Sequence, residues 1–485
     1  MCSFILAIGQ VMSTIGRGLL PDEYVEALRP LQDGVPARNF EEISSIIEKS
    51  ASPQTMDDLF LDFDPKPIGA ASIGQAHRAT LRSSGETVVV KVQYPEVADL
   101  FEADLANLET ATRLFAPENI EVARALRKRH ENELDFALEA ENLRRCTEDM
   151  QRYGAEPSLV RIPRVRHVFG RDVLIMEYLK GVSLGDAIEE EQNRLARALG
   201  QKDARELKSV LSKRMREHFE NGGGAGSGGM KMFNGGKQGA KMLNIFGPAA
   251  SAMLRSYAGA RDRVESLGIS LGIAVGRLRT ILSGKGRSAD INIEEKKGRN
   301  VKTKVNLSKA LKLLVHVSGI QLMLGRSYNA DPHPGNVVIM DDGRLGLLDY
   351  GMVGKLSSSE RQAVAKTIVA LSKRDKAETA RIYRENGYKA AFRDGKREAD
   401  DAILHRFATF HLDRIDLSPL TLDSGETVDT LELLRSTREK GVPKFVEEGR
   451  RLGGLLMGVS AQAARPISLS KEWRPIAERV LREKE

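Results

Sequence analysis

Cysteine is nearly missing from this chain: its 485 residues hold two, Cys2 and Cys146, in unrelated contexts without CxxC spacing or a nearby histidine cluster. That excludes a disulfide framework or structural zinc site as the organising feature and makes a reducing compartment the default. Long apolar runs are also lacking. A membrane-spanning helix needs about 18 to 20 consecutive apolar residues, and the nearest approach, "SLGISLGIAVGRLRTILS" from Ser266, is diluted by glycine and broken by Arg277 and Arg279. Nor is there a large excess of one charge sign. The formal charge of +7 is modest for this length, and much of it sits between residues 200 and 310. This suits a phosphate-bearing ligand or an anionic membrane surface, whereas nucleic-acid recognition has no motif behind it. The opening "MCSFILAIGQVMSTIG" is apolar, but it has no basic n-region and is not an Arg- and Ser-rich organelle leader, so no targeting segment is readable.

What is present is an ordinary globular composition, long enough for two or three domain-sized units with a substantial core. Residues 1–60 read as helical pieces punctuated by proline. "KPIGAASIGQAHRATL" is a small-residue turn flanked by strand-compatible residues, and "GETVVVKVQYPEV" is a turn, a buried strand and a proline stop. The charged, proline-free stretch from Glu118 to Met150 predicts one long helix. "IPRVRHVFGRDVLIMEYLKG" predicts two strands around a Gly-Arg-Asp turn, ending in an extended connector. From about Glu190 to Thr303 the texture changes: "NGGGAGSGG" and "GGKQGAK" mark a flexible, basic insertion, expected to be a mobile surface excursion whose charges touch an anionic membrane. "NLSKALKLLVHVSGIQLMLG" predicts a helix capped by Asn306 or Ser308, with Gly325 near its end. The strands "VVIM" and "RLGLLDYG" follow, joined by an Asp-Asp-Gly turn, and residues 356–485 read mostly as helices.

One constellation carries chemistry. Phosphoryl transfer needs a cation near nucleotide phosphates, a carboxylate to hold that cation, metal ligands, and a carboxylate at the attacking group. Lys91 ends the apolar run "VVVK", and Glu139 on the following helix could pair with it; each alone is unremarkable, as a strand-end lysine or a solvated helix face. "DPHPGN" is sharper. Asp331 and Asn336 have the spacing of a kinase catalytic loop, in which Asp accepts a proton and Asn binds magnesium, while Pro332, Pro334 and Gly335 stiffen and turn the loop. In "LLDYG", Asp349 closes a strand as a second magnesium ligand, with Tyr350 in place of the usual Phe. His333 and His77 have the residue type of ligands or acid/base groups, but are expected to pack or hydrogen-bond. "MEYLKG" suits a connector whose backbone at Glu177 to Leu179 meets an adenine. "GAASIGQAH" stands where a glycine-rich loop would lie: Ala70, Ala71, Ser72, Ile73, Gly74 and Gln75 form the expected nucleotide cover, with alanine limiting close backbone approach.

These motifs resemble the UbiB family of atypical kinases, the aarF-domain-containing kinases, through "AASIGQAHRA", "VVVKVQYP", "ELDFALEAEN", "ADPHPGN" and "LLDYGMVG". The likeness spans about residues 5 to 190 and 300 to 360. It implies an α+β, bilobal protein kinase-like fold: an N-terminal helical extension (1–60), a small β-rich N-lobe and hinge (61–182), the start of a mostly helical C-lobe with the insertion (183–305), and the remaining C-lobe (306–485). It further implies ATP and Mg²⁺ as cofactors, Lys91 paired with Glu139, Asp331 as base, and Asn336 and Asp349 as metal ligands. Glu133 and Asp135 would form the family's Glu-x-Asp element. Its Lys-x-Gly-Gln motif appears as "AIGQ", with Gly9 and Gln10 retained and Ala7 in place of lysine; Asn329 and Tyr350 replace the common His and Phe.

By the same resemblance the chain is expected to act as an ATPase or phosphotransferase in ubiquinone-type or other prenyl-lipid metabolism, with a prenyl-lipid or quinone-precursor ligand, peripheral membrane association, and a mitochondrial or plastid setting. A pseudokinase-like lipid-binding scaffold without turnover is the alternative, motivated by Ala7, the alanine loop and the apolar N-terminal helices. An ordinary Ser/Thr protein kinase is disfavoured for want of a glycine loop and an Ala-Pro-Glu segment.

Overall fold

A computed structural model describes residues 37–71, 73–115, 134–207, 306–395, 397–463 and 465–483, with the single positions 120 and 210. Two compact units emerge. The first comprises Met1–Lys180, Val317–Asp331 and Gly346–Ser357; the second comprises Gly181–His316, Pro332–Leu345 and Ser358–Glu485. Mixed helix with antiparallel sheets bears out the expected α+β kinase-like class with a β-rich N-terminal part.

Strand alternation organises the first unit. Its six-stranded sheet runs β1 (Phe60–Phe63), β3 (Gly74–Leu81), β4 (Thr87–Gln93), β6 (Val173–Glu177), β5 (Val165–Phe169), with β2 (Gly69–Ala70) also pairing β3. Side chains alternate faces along a strand. Val88, Val90 and Val92 of β4 are fully buried in the core with Val173 and Ile175, and helix α1 (Phe40–Ala51) adds Ile43 and Ile47 to it, one helical turn apart. Each such side chain contributes roughly 1.5–3 kcal/mol by leaving water. The intervening β4 residues, Val89, Lys91 and Gln93, therefore face the other way. Lys91 lies between Ala76 of β3 and Leu174 of β6 in register.

Helix α2 (Val97–Phe115) follows the sheet's β4, and α3 (Phe136–Arg152) precedes β5. The single helix expected over 118–150 is corrected here. Asp135 is extended, with φ −134° and ψ 95°, and its carboxylate accepts from Ala137 N and Leu138 N, so it caps the start of α3. Periodicity could not show this break because the apolar spacing runs on through a residue whose side chain competes for backbone donors. The buried face of α3 carries Glu139, Asn142 and Asp149 beside Ala140, Leu143, Cys146 and Met150.

Helix α4 spans Leu307–Met323, with Asn306 as its cap, its carboxamide oxygen accepting from Lys309 N at 2.9 Å. It leads into β7 (Tyr328–Asn329), which pairs antiparallel with β8 (Val353–Gly354). Only glycine fits at 354, where a Cβ would run into the Tyr328 ring.

The second unit is mostly helical, built on helices over Leu184–Ala198, Ser358–Lys373, Lys376–Glu385, Asp401–Leu412, Lys444–Gln462 and Leu469–Arg482. Trp473 is fully buried there and its indole N–H donates to the Val315 carbonyl at 2.6 Å. Two small antiparallel pairs, Lys389–Phe392 with Thr437–Gly441 and Leu420–Thr421 with Thr427–Val428, interrupt the region read mostly as helices. Of the stretch expected as an insertion, residues 190–207 are described and begin within the helix Leu184–Ala198; its glycine-rich part and the segment before residue 37 lie outside the described residues. No described helix is long and apolar enough to cross a membrane.

Candidate active site

The face of β4 opposite the valine core sends the Lys91 ammonium to two carboxylates. It donates to Glu139 Oε1 at 2.6 Å and to Asp349 Oδ2 at 3.0 Å. The three side chains differ in exposure: Glu139 retains 4%, Lys91 16% and Asp349 37%. Burial pushes the Glu139 carboxyl up to about 7, against the pull of Lys91. Desolvation works against the charge on Lys91, but Asp349 and Glu139 outweigh it and hold the ammonium above the ordinary lysine value. Desolvation likewise opposes ionisation of Asp349, yet the Lys91 charge and the Gly351 N–H, which donates to Oδ1 at 3.0 Å, keep its carboxyl below the usual range.

Asp331 ends the same unit. Its backbone N–H donates to Asn329 Oδ1 at 2.9 Å, while Asn329 Nδ2 donates to the Asp349 carbonyl at 2.9 Å. The Asp331 and Asp349 segments run side by side: Ala330 N donates to the Met352 carbonyl at 3.1 Å, and Asn329 stands opposite Val353. Asn336 belongs to the second unit, half-buried at the end of a 3₁₀ turn over Pro334–Asn336. His333 shapes that turn, with Nδ1 accepting from Gly335 N at 3.1 Å.

The alanine segment is a tight hairpin. Ala70 pairs with Gln75, and Ala71 N donates to the Gly74 carbonyl at 2.8 Å. The Ile73 carbonyl accepts from Tyr94 N at 3.0 Å and its side chain packs on the core. At Gly74 a Cβ would run into the Val92 carbonyl oxygen. Gln75 is buried and fully engaged: its Oε1 accepts from Arg38 N and the Tyr94 hydroxyl, each at 2.8 Å, and its Nε2 faces the Arg38 carbonyl at 3.2 Å and His77 Nε2 at 2.8 Å. His77 is a satisfied core residue, its Nδ1 lying 2.8 Å from the Asp64 carbonyl.

At the connector, the Glu177 carboxylate is held by Arg161 at 2.8 and 2.9 Å, its backbone N–H donates to Arg164 O, and Leu179 is buried. Asp135 caps α3 and pairs with Arg171 at 3.2 Å. Gly9, Gln10, Ser72 and Glu133 lie outside the described residues.

Several residues that fasten the site escape sequence reading. Asn142 donates to the Tyr350 carbonyl at 3.0 Å, Gln321 Nε2 to the Tyr350 hydroxyl at 2.7 Å, and buried Asp149 receives Arg326 N at 2.8 Å and Nε at 2.7 Å. Gln321 had one visible signal, a carboxamide inside the apolar run "SGIQLML". Asn142 and Asp149 had none, since polar residues on a charged helix read as solvated.

A kinase-like domain is the class these features define, and comparison gives the family. The profile of the ABC1 atypical kinase-like domain matches residues 30–215 and 290–383, and the chain belongs to that family. AarF domain-containing protein kinase 1 of Xenopus tropicalis is 32% identical over 40% of this chain and 38% of its own length. A probable protein kinase UbiB of Aeromonas hydrophila is 34% identical over 39% of this chain and 35% of its own. The chain thus covers under two fifths of the length of these two relatives. An uncharacterized Synechocystis protein, slr0889, aligns more fully, at 25% identity over 78% of this chain and 69% of its own length. The solved structure of Rv3197 with erythromycin from Mycobacterium tuberculosis is similar in fold, with a TM-score of 0.52 and 17% identity over 96% of this chain and 90% of that one.

Proposed function

We propose that this protein binds ATP with Mg²⁺ and acts as an atypical phosphotransferase or ATPase, in support of isoprenoid-quinone or other prenyl-lipid metabolism. The observation that carries the reading is the Lys91 ammonium bound to Glu139 on one side and Asp349 on the other. A cation fixed in this way is preorganised for nucleotide phosphates and loses little to reorganisation when charge develops. The lipid setting rests on the likeness to UbiB-type relatives.

Asp349 is held ionised and partly exposed, a hard oxygen donor of the kind magnesium takes alongside water and phosphate; Asn336 is proposed as a second ligand on the family likeness alone. When bound, magnesium supplies neutralisation of phosphate charge. Lys91 would orient the phosphates, and Glu139 would hold the ammonium in place when a ligand competes for its contact with Asp349. Asp331 would accept the proton of the attacking hydroxyl or water. The backbone at Glu177 to Leu179 and the hairpin at Ala70 to Gln75 would bound the nucleotide.

ATP turnover by wild type and Asp331→Asn, with a panel of prenylated phenols and lipid vesicles, tests this. Loss of a general base costs about 10²–10⁴-fold in rate, so the variant is expected to lose at least the lower figure. Wild type that releases no phosphate under any condition would overturn the reading. Unimpaired biological function of Asp349→Asn would favour a scaffold without turnover.

A further inference from the structure

Tyr350 is gripped at every polar atom by a different partner. Its backbone N–H reaches Glu139 Oε1 at 3.4 Å, its carbonyl accepts from Asn142 Nδ2 at 3.0 Å, and its hydroxyl accepts from Gln321 Nε2 at 2.7 Å. Glu139 and Asn142 lie one turn apart on α3, so the helix that supplies the Lys91 partner also grips the peptide after Asp349. Gln321 has a second attachment: its Oε1 accepts from Asn329 N at 3.0 Å. Asn329 in turn bonds the Asp349 carbonyl and the Asp331 N–H. The bonds close a ring: Gln321 to Tyr350, along the chain to Asp349, across to Asn329, and back to Gln321. Tyr350 is 0% exposed, Asn142 1%, Gln321 2% and Asn329 6%. Water cannot replace a lost partner there, so a broken link leaves a buried polar group unpaired.

We propose that Gln321 and Tyr350 are positioning residues that lock the Asp331 and Asp349 segments together through this ring; the proposal rests on the phosphoryl-transfer reading above. The tyrosine hydroxyl is the link a phenylalanine could not make. Without it the Gln321 carboxamide loses its acceptor, and the grip on Asn329 N that sets Asp331 against Asp349 loosens.

The test compares wild type, Tyr350→Phe, Gln321→Met and the double variant. Amide hydrogen exchange without nucleotide is read over residues 349–352 and over β4, alongside kcat and KM for ATP. Tyr350→Phe is expected to raise exchange at 349–352 by ~tenfold, as loss of a buried partner implies, with β4 unchanged. The kcat should fall by ~tenfold while KM stays within about twofold, because the lost interaction sets reacting groups rather than nucleotide affinity. The double variant should lose much less than the product of the two single effects, since both break one ring. Independent effects, wild-type exchange in Tyr350→Phe, or a loss spread equally over β4 would each overturn the lock. Exchange coupling in a protein that turns over no ATP would support the lock and sink the phosphoryl-transfer reading instead.

Discussion

Lys91 and Glu139 form a 2.6 Å ion pair whose carboxylate side is 4% exposed, whereas the competing Asp349 contact is longer and open to solvent. The buried partner sets where the ammonium stays. The exposed one is left available for exchange with a ligand.

Removing the ammonium should expose the cost of that burial in a pH-dependent way. A carboxyl whose folded pKa is about 7 binds its proton more tightly folded than unfolded, so its contribution to stability declines as pH rises from the unfolded value near 4.5 to about 7 and is flat above. In Lys91→Met the window extends above 7, because the pull that lowered Glu139 is gone. Urea unfolding should show the variant destabilised by roughly 3–5 kcal/mol at pH 8.5, the scale of a buried charge stripped of its partner. The deficit should shrink at pH 6, where Glu139 takes up a proton.

The same titration predicts a pH profile for nucleotide chemistry. As pH falls through about 7, Glu139 is protonated and its pull on Lys91 fades. The kcat/KM for ATP should therefore rise with pH through that value in wild type. Glu139→Gln should be slower and lack this step, and a step that persists in Glu139→Gln would assign the titration elsewhere.

Arg326 fastens the loop before Asp331 to α3 through buried Asp149. Arg326→Ala leaves Asp149 Oδ1 without its charged donor while the backbone bond to Oδ2 survives. A loss of about 1.5–3 kcal/mol in chemical denaturation is expected, the usual worth of a hydrogen bond to a charged group.

Gly74 lies where a methyl group would meet a main-chain carbonyl on β4, two residues along β3 from Ala76, the partner of Lys91. A backbone neighbour cannot swing aside as a side chain can. Gly74→Ala should cost about 1–3 kcal/mol as overpacking, measured by thermal or urea unfolding, whereas Gly343→Asn, at a turn with φ +85° and open space, should cost much less.

Much of this architecture could be read from residues alone. "VVVK" showed both the buried strand and the lysine because alternation is a local property of the backbone. "ADPHPGN" and "LLDYG" showed carboxylates at chain-stiffened positions, again local. What stayed hidden was long-range: Gln321 bonding Tyr350, Asn142 reaching the Tyr350 carbonyl, Asp149 receiving Arg326. A polar residue facing a partner from a distant segment looks the same in sequence as one facing water. The break at Asp135 was missed for a related reason, as apolar spacing continues across it while the carboxylate ends the helical backbone.

The alternation along β4 puts Val88, Val90 and Val92 in the core and Lys91 on the reverse side. A slip of one residue in pairing would turn the ammonium into the apolar interior and the valines out. Such a misaligned chain would fail to fold before it could fail to react. The strand thereby proofreads itself: any molecule stable enough to persist has already delivered its cation to the correct side.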